Sequence, residues 1–258
     1  MKFLLFDLDE TLLRSDKTFS PRTLEALRQC REKGVLIGVS TSRAEHNCLD
    51  FLPVLQPDIL IASGGAVIKH HNAYIFTAEF SPVETRSIID SARAIFGEDY
   101  QITLDTLDGH YWNYKVDPTI DDPTWGKPIH TDYSDFTGGA LKLCVQILDL
   151  SMADAFAATL PECDFRRFSG SPWHKITKKN VTKESAVRFA CDHFGIDLKD
   201  TAAFGDDTPD IGMLQLCGTG VAMGNAVEAV KAAADIVIGT NDEDGIAKFL
   251  EEYYQFSL

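Results

Sequence analysis

The chain has 258 residues, 45% of them hydrophobic and 24% charged, which is typical of a globular protein and excludes a disordered chain. Its formal net charge of −15 argues against a surface for nucleic acid or anionic membranes, because such surfaces carry clustered cations. A phosphate group would have to be held by local positive charge, from a metal ion, a lysine or helix N-termini.

The cysteines and the apolar runs bear on whether the protein is cytoplasmic, secreted or embedded in a membrane. The six cysteines are scattered without a CxxC pair, which excludes zinc spacing. Several lie in apolar stretches, as buried reduced thiols do in the cytosol. Asp7 breaks the first apolar run, which argues against a signal peptide, and no apolar run approaches the ~20 residues of a membrane span. We expect a cytoplasmic protein.

Strand and helix patterns alternate along the first part of the chain. The apolar run Phe3–Phe6 predicts a buried strand, and Pro21–Lys33 predicts a helix with Ser20 as its N-cap and Gly34 after its end. This alternation predicts a parallel sheet with right-handed crossovers. The further elements predicted here are a strand at Val35–Val39, a helix at Arg43–Phe51, a strand at Ile59–Ala62 and a hairpin at Val67–Thr77.

The middle of the chain follows a different pattern. From about Ser81 strands and helices no longer alternate, and this α+β order indicates a second domain; after Asn180 the first alternation returns. We therefore predict an α/β fold with a Rossmann-like parallel-sheet core at residues 1–81 and 179–258 and an inserted α+β domain at residues 82–178. The middle elements predicted are helices at Val83–Phe96 and Met152–Thr159, a loop at Asp117–Asp135, and strands near Gln101–Asp105, Tyr111–Lys115, Leu141–Leu148, Asp164–Phe168 and Trp173–Thr177. The last elements predicted are helices at Thr182–Phe194, Pro209–Leu216, Val227–Ala233 and Gly245–Tyr254, and strands at Thr201–Phe204, Gly220–Met223 and Asp235–Ile238.

Two aspartates follow the first strand. Asp7 and Asp9 stand where open α/β sheets place their chemistry, just beyond the carboxyl end of a strand. Two carboxylates there can divide the work, one as a nucleophile and the other as a proton shuttle. The alternative is an acidic strand end that precedes a helix cap, with both side chains facing water.

Hydroxyl and ammonium groups stand at two later positions that suit a phosphate. Ser40-Thr41-Ser42-Arg43 ends the second predicted strand and begins a predicted helix, where hydroxyls and free N–H groups bind phosphate oxygens. A plain Ser/Thr N-cap is the alternative. Lys183 lies in the first turn of another predicted helix, where a cation is disfavoured unless it faces an anion, although an exposed lysine is common there.

The last polar cluster, Gly205-Asp206-Asp207-Thr208-Pro209-Asp210, follows an apolar strand and precedes a helix with Thr208 as the expected N-cap. Carboxylates with room for water and a substrate phosphate are typical of a magnesium site. A solvated acidic loop is the alternative, but acids crowded at one strand end repel each other unless a cation binds. The cluster therefore predicts a Mg²⁺ site.

In this order, the clusters resemble the haloacid dehalogenase (HAD) superfamily of phosphatases, and more narrowly its Cof-type branch with a large α/β cap. The resemblance covers essentially the whole chain. Each piece is modestly specific, whereas the ordered set is highly specific. The pieces are Asp7-Leu8-Asp9-Glu10-Thr11, Ser40-Thr41-Ser42-Arg43, Lys183, Gly205-Asp206 to Asp210, and Val221-Ala222-Met223-Gly224-Asn225-Ala226.

The resemblance implies a Mg²⁺-dependent phosphatase for a small phosphorylated metabolite, such as a sugar phosphate or a phosphorylated cofactor. Asp7 would attack phosphorus and form an aspartyl phosphate. Asp9 would protonate the leaving oxygen and then activate water. The implied metal ligands are Asp7, the Asp9 carbonyl, Asp206 and Asp210, and the implied phosphate-binding residues are Thr41, Lys183 and the backbone N–H groups near Leu8 and Ser42.

The sequence departs from the family pattern at three positions. Ser42 replaces the usual glycine, Pro209 replaces a common asparagine, and Gly64 replaces the asparagine of an Asn-Gly-Ala run. No core catalytic group is lost, and the missing amides bear on the surroundings of the metal ion and on substrate choice. The inserted domain would be the cap that excludes water and selects the leaving group. Its candidate substrate contacts, most of which could equally pack the cap, are Tyr111, Trp112, Tyr114, Trp125, Trp173 and His174.

Two other functions remain open. A phosphotransferase or phosphomutase on the same scaffold would need a second cationic phosphate site in the cap, where Arg166, Arg167 and Lys175 are the notable cations. A non-catalytic metabolite-binding module is the other alternative, which the intact Asp7 and Asp9 disfavour. As partners we expect a small phosphorylated metabolite and neither nucleic acid nor a membrane, with the protein a monomer or a homodimer.

Overall fold

The computed structural model describes residues 1–114 and 128–256 of the chain. No helix in these residues is long and apolar enough to cross a membrane. The strands are β1 (Phe3–Phe6), β2 (Leu36–Ser40), β3 (Ile59–Ala62), β4 (Val67–His70), β5 (Ala73–Thr77), β6 (Ile102–Asp105), β7 (His110–Trp112), β8 (Ile129–His130), β9 (Lys142–Gln146), β10 (Cys163–Arg167), β11 (Trp173–Lys178), β12 (Thr201–Gly205), β13 (Thr219–Ala222) and β14 (Ile236–Val237). The helices are α1 (Pro21–Glu32), α2 (Leu52–Leu55), α3 (Pro82–Phe96), α4 (Ala153–Ala157), α5 (Lys183–Phe194), α6 (Ile211–Leu216), α7 (Glu228–Ala233) and α8 (Gly245–Tyr254).

Eight strands form a sheet that we call the core sheet, in the order β14-β13-β12-β1-β2-β3-β4-β5. The strands from β14 to β3 are parallel, and β4 and β5 add an antiparallel hairpin at one edge. β1 is central and buried along its whole length, as an apolar parallel strand covered on both faces must be. Its last residue, Phe6, pairs with Val39 and Phe204, so the polar clusters that follow β1, β2 and β12 emerge side by side.

Six strands form a second sheet, the cap sheet, in the order β10-β11-β9-β6-β7-β8. All its pairs are antiparallel except β7 with β8. Helices α3 and α4 pack against one face through a separate apolar cluster that includes Ile89, Val145 and Phe156. The opposite face carries polar and aromatic side chains toward the carboxyl edge of the core sheet. The predicted α/β fold, a parallel-sheet core with an α+β insertion, is confirmed.

The segment after β2 differs from the prediction. Instead of a helix at Arg43–Phe51, the chain makes a 3₁₀ turn at Glu45–Asn47 and then the short helix α2. Pro53 fixes where α2 begins, because proline lacks an N–H group and fits only the first turn of a helix. Thr41 and Ser42 therefore lie in a loop, and the prediction that they begin a helix is wrong.

Several other elements are shorter than predicted. A 3₁₀ turn at Thr208–Asp210 precedes α6, and its N-cap is Asp207 rather than Thr208 because the Asp207 carboxylate accepts from the Thr208 N–H. The predicted loop Asp117–Asp135 contains the short strand β8. Residues 115–127, which include Lys115 and the candidate substrate contact Trp125, lie outside the described part of the chain.

Candidate active site

A tight turn after β1 separates the two aspartates that follow it. Within the turn Leu8–Leu12, Glu10 adopts a left-handed φ of 54°. The side-chain amide of Asn225 donates to the Glu10 carbonyl over 2.7 Å, so the loop after β13 holds the turn in place. This gives a structural role to one residue of the downstream motif, and it lets Asp7 and Asp9 meet different partners.

Asp7 contacts the ammonium group of Lys183. Its Oδ1 lies 2.5 Å from Lys183 Nζ, and Asp210 Oδ1 lies 2.6 Å from the same nitrogen. Lys183 begins α5, whose N-cap Thr182 exchanges hydrogen bonds with Ser185 in a capping box. Burial lowers the Lys183 pKa, but the Asp210 and Asp7 carboxylates raise it more, so the pKa lies above its ordinary value and the lysine is a permanent cation.

The carboxylates of Asp7, Asp206 and Asp210 form a cluster whose ligand oxygens lie within 4.8 Å of one another. Burial, together with nearby carboxylates, raises the pKa of Asp206 to about 9. Burial likewise raises the pKa of Asp7 to about 7, although Lys183 opposes the shift. When all three acids ionise, they carry more negative charge than Lys183 neutralises, and oxygen ligands are those that Mg²⁺ prefers. The donor set therefore fits the predicted metal ion.

Asp210 is the most constrained member of this cluster. Its Oδ1 accepts from Lys183, and its Oδ2 accepts from the backbone N–H groups of Asp206 and Asp207 at 3.1 and 3.2 Å. Gly205 permits this contact, since a Cβ there would lie 2.5 Å from Asp210 Cβ. Asp210 thus shapes the loop after β12, while Asp206 Oδ1 accepts from the Thr11 hydroxyl, at 2.9 Å.

Asp9 makes a bidentate ion pair with Arg43. Arg43 Nε lies 2.7 Å from Asp9 Oδ2, and Arg43 Nη2 lies 2.7 Å from Asp9 Oδ1. Lys17 Nζ lies 3.4 Å from the same Oδ1. Burial raises the Asp9 pKa, but the hydrogen bonds and charge of Arg43 and Lys17 outweigh it, so the pKa lies below its usual range. Arg43 belongs to the Ser40-Thr41-Ser42-Arg43 motif, yet nothing in the local sequence indicates Asp9 as its partner.

The loop after β2 brings Thr41 and Ser42 to the same place. Thr41 is buried, and its hydroxyl accepts from the Arg43 N–H over 3.1 Å. The Ser42 hydroxyl is buried with no hydrogen-bond partner among the described residues, and the Ser42 carbonyl accepts from Lys142 of the cap sheet over 2.5 Å. An unpaired buried hydroxyl is costly, and it suits an incoming oxygen. Nothing in the sequence marked Lys142 as a site residue, because it is simply the first residue of the apolar strand β9.

A cavity of about 680 Å³ joins these residues to the cap sheet. This volume is typical of small-molecule sites. Its core side contains every predicted site residue: Asp7, Asp9, Thr41, Ser42, Lys183, Asp206 and Asp210. Of the described cap candidates, Trp112, Tyr114 and Trp173 line it, whereas Tyr111 and His174 are not among its lining residues.

Residues 4–250 match the family of haloacid dehalogenase-like hydrolases. The chain belongs to this family. The HAD resemblance drawn from the sequence is confirmed, and so is the prediction of an enzyme of this hydrolase class.

Named relatives of the HAD family cover nearly the whole chain. A Bacillus subtilis 5-amino-6-(5-phospho-D-ribitylamino)uracil phosphatase, YitU, is 28% identical over 268 residues, 97% of each chain. The Escherichia coli pyridoxal phosphate phosphatase YbhA is 28% identical over 269 residues, 96% of this chain and 97% of its own. The solved structure of BT4131, described as a HAD subclass IIB sugar phosphatase, shares the fold with a TM-score of 0.85 at 24% identity, covering 99% of this chain and 100% of that one.

Proposed function

We propose that this protein is a Mg²⁺-dependent phosphatase that hydrolyses a small phosphorylated metabolite, a sugar phosphate or a phosphorylated cofactor, through an aspartyl phosphate. The observation that carries the proposal is the meeting of Asp7, Lys183 and the Asp206 and Asp210 carboxylates in the lining of one cavity. The named activities of the relatives, which include dephosphorylation of a ribityl phosphate and of pyridoxal phosphate, support the substrate class.

In the proposed first step, Asp7 attacks phosphorus and the ester oxygen leaves. Lys183 orients the attacking carboxylate and offers positive charge to the phosphoryl oxygens. These oxygens also accept hydrogen bonds from Thr41, from the Ser42 hydroxyl and from the backbone N–H groups near Leu8 and Ser42. Catalysis of phosphoryl transfer consists mainly of such positioning and charge stabilisation. Mg²⁺ held by Asp7, Asp206, Asp210 and the Asp9 carbonyl would neutralise further charge on the phosphoryl group.

Asp9 moves the proton in both steps. It protonates the leaving oxygen and then takes a proton from the water that attacks the aspartyl phosphate. Its pairing with Arg43 keeps the carboxyl ionised in the free protein. An arriving phosphate dianion raises the pKa of a nearby carboxyl, so substrate binding itself would favour the protonated form that the first step needs.

Hydrolysis is favoured over transfer to a second phosphate site. Of the three cap cations named above, Arg166 and Arg167 are exposed, and none of the three is among the cavity-lining residues. The cap-sheet cation that does line the cavity, Lys142, is already paired with the Asp105 carboxylate. A phosphomutase would need such cations to hold its bisphosphate intermediate. We further propose that residues 1–81 and 179–258 form the catalytic core and residues 82–178 the cap, and that the protein acts in the cytoplasm as a monomer or homodimer.

The deciding experiment is hydrolysis of an aryl phosphate by the wild type with Mg²⁺, by the wild type with EDTA, and by Asp7→Asn. We expect turnover only with the metal, and a loss of at least about 10⁴-fold in Asp7→Asn, because removing a nucleophile removes the whole pathway. Exposed Asp16→Asn is the matched control. Full activity in EDTA would overturn the Mg²⁺ requirement, and full activity in Asp7→Asn would overturn the aspartyl phosphate.

A further inference from the structure

The cavity-facing side of the cap sheet is arranged in rows that run across its strands. Lys142, Asp105 and His110 stand opposite one another in the row nearest the core, where Lys142 reaches the Ser42 carbonyl. The next row contains Cys144 and Thr103. Two residues along a strand cover about 7 Å, so this second row lies about that far beyond the first row, on the side away from the core.

Aromatic rings border the small side chains of the second row. Trp112 pairs with Thr103 in that row, and Trp173 of β11, on the other side of β9, pairs with Gln146, one row farther from the core. Tyr114 connects them, with its ring centroid 4.7 Å from that of Trp112 and 5.7 Å from that of Trp173. All three rings are half-buried and line the cavity. Cys144 and Thr103 thus form the floor of a recess with an aromatic rim.

Most polar side chains that line this recess already have partners among the described residues, and Lys175, the β11 residue opposite Cys144, is not among the lining residues. Lys142 and His110 Nδ1 both contact Asp105, at 2.8 Å each. The Ser169 hydroxyl contacts the Thr208 hydroxyl at 3.3 Å, and the Ser171 hydroxyl accepts from the Trp173 N–H. A sugar hydroxyl placed here would compete with existing hydrogen bonds, and a buried polar group left unpaired is costly.

We infer that the leaving group of the substrate is a flat, unsaturated ring, carried on the ester oxygen directly or through one carbon, and that Trp112 and Trp173 select it by stacking. Aromatic pairs are stabilised beyond the area they bury, whereas a puckered ring of the same size cannot stack as closely. This inference rests on the proposed phosphatase function and specifies its substrate class.

The test compares benzyl phosphate with cyclohexylmethyl phosphate, two esters of primary alcohols that differ in the flatness of one six-membered ring. We expect the wild type to favour benzyl phosphate in kcat/KM by about 10-fold. Trp112→Leu and Trp173→Leu should each reduce this preference about 2- to 10-fold, the range that one aromatic contact provides. Exposed Tyr253→Leu is the matched control and should keep both the rates and the preference.

The ratio of kcat/KM for benzyl phosphate to that for cyclohexylmethyl phosphate separates loss of selection from loss of folding. A partly unfolded variant loses both activities equally and keeps its preference. Equal kcat/KM values for the two esters in the wild type, or a preference unchanged by both tryptophan variants, would overturn the inference. If the wild type hydrolyses no ester, the proposed function fails, and calorimetric binding of benzylphosphonate against cyclohexylmethylphosphonate then tests the recess alone. Tighter binding of the flat ring supports the inference, and equal binding overturns it.

Discussion

Lys142 of the cap sheet donates a hydrogen bond to the backbone carbonyl of Ser42 over 2.5 Å, so the loop proposed to bind phosphate is held by a residue 100 positions away in the chain. The same ammonium group lies 2.8 Å from the buried carboxylate of Asp105, which also accepts from the Ser63 hydroxyl. The cap sheet and the carboxyl edge of the core sheet therefore share one buried polar cluster.

Lys142→Met should weaken both stability and phosphate binding. Asp105 would remain buried without its main cation, at a cost of about 3–5 kcal/mol, and the Ser42 loop would lose its anchor. We expect a lower unfolding midpoint in a thermal melt and a higher KM. The double variant Lys142→Met/Asp105→Leu removes the stranded charge, so it should regain stability while KM stays high. Recovery of both quantities together would show that Lys142 acts on stability alone.

Arg43→Met should change the pH dependence of turnover. Removal of an adjacent guanidinium raises a carboxyl pKa by about 1–3 units, so Asp9 would stay protonated to higher pH. The basic limb of the kcat/KM profile, which reports the acid that protonates the leaving oxygen, should move up by about that amount. Exposed Arg28→Met should leave the profile in place. A basic limb at the wild-type pH in Arg43→Met would contradict the proposed role of Asp9.

Stabilisation by Mg²⁺ should grow with pH. Burial and neighbouring carboxylates raise the pKa of Asp7 to about 7 and that of Asp206 to about 9, against 3.8 in the unfolded chain. The metal-free protein therefore loses stability between about pH 4 and pH 9 as these acids ionise, and Mg²⁺ competes with the bound protons. We expect saturating Mg²⁺ to raise the unfolding midpoint by roughly 5 °C at pH 8 and by less at pH 5.

The matched variants for this measurement are Asp206→Asn, which should abolish the Mg²⁺ effect, and exposed Asp192→Asn, which should not. Scanning fluorimetry at the two pH values is sufficient. A shift that is equal at both pH values, or that survives in Asp206→Asn, would argue against metal binding at this cluster.

Lys175→Met should stabilise the protein at neutral pH. Burial, and then the charges of Lys183 and Lys142, lower the Lys175 pKa to about 8 from 10.5, and no carboxylate of the described residues pairs with its ammonium group. The cost of this buried charge is complete below about pH 8 and vanishes as pH approaches 10.5. We expect the midpoint to rise by several degrees at pH 7, corresponding to about 1–3 kcal/mol.

The gain in Lys175→Met should shrink steadily toward pH 10 in the same melts, whereas exposed Lys199→Met should change little at any pH. The side chain packs against Gly64, where a Cβ would lie 2.9 Å from Lys175 Nζ and 3.0 Å from its Cδ, so an unbranched methionine fits the same space. A destabilised variant at pH 7 would show that the ammonium has a partner which outweighs its burial.

The sequence by itself determined the features that depend on neighbouring residues. The apolar run of β1 followed by Asp7, the caps Ser20 and Thr182, and the acidic turn after β12 are all local patterns. The parallel core sheet then follows, because alternating strands and helices have few ways to pack. Parallel strands place their carboxyl ends at one edge, which is why the predicted site residues converge there.

Only the tertiary structure decided which charges pair and what the cap presents to the cavity. Arg43 pairs with Asp9 from a loop where the sequence predicted a helix. The Lys142–Ser42 contact and the aromatic recess depend on strand register in the cap sheet and on how that sheet meets the core. Such contacts join residues far apart in the chain, and a one-residue slip in the register of the cap strands would turn their cavity-facing side chains to the opposite face of the cap sheet. Composition and spacing carry no information about that register.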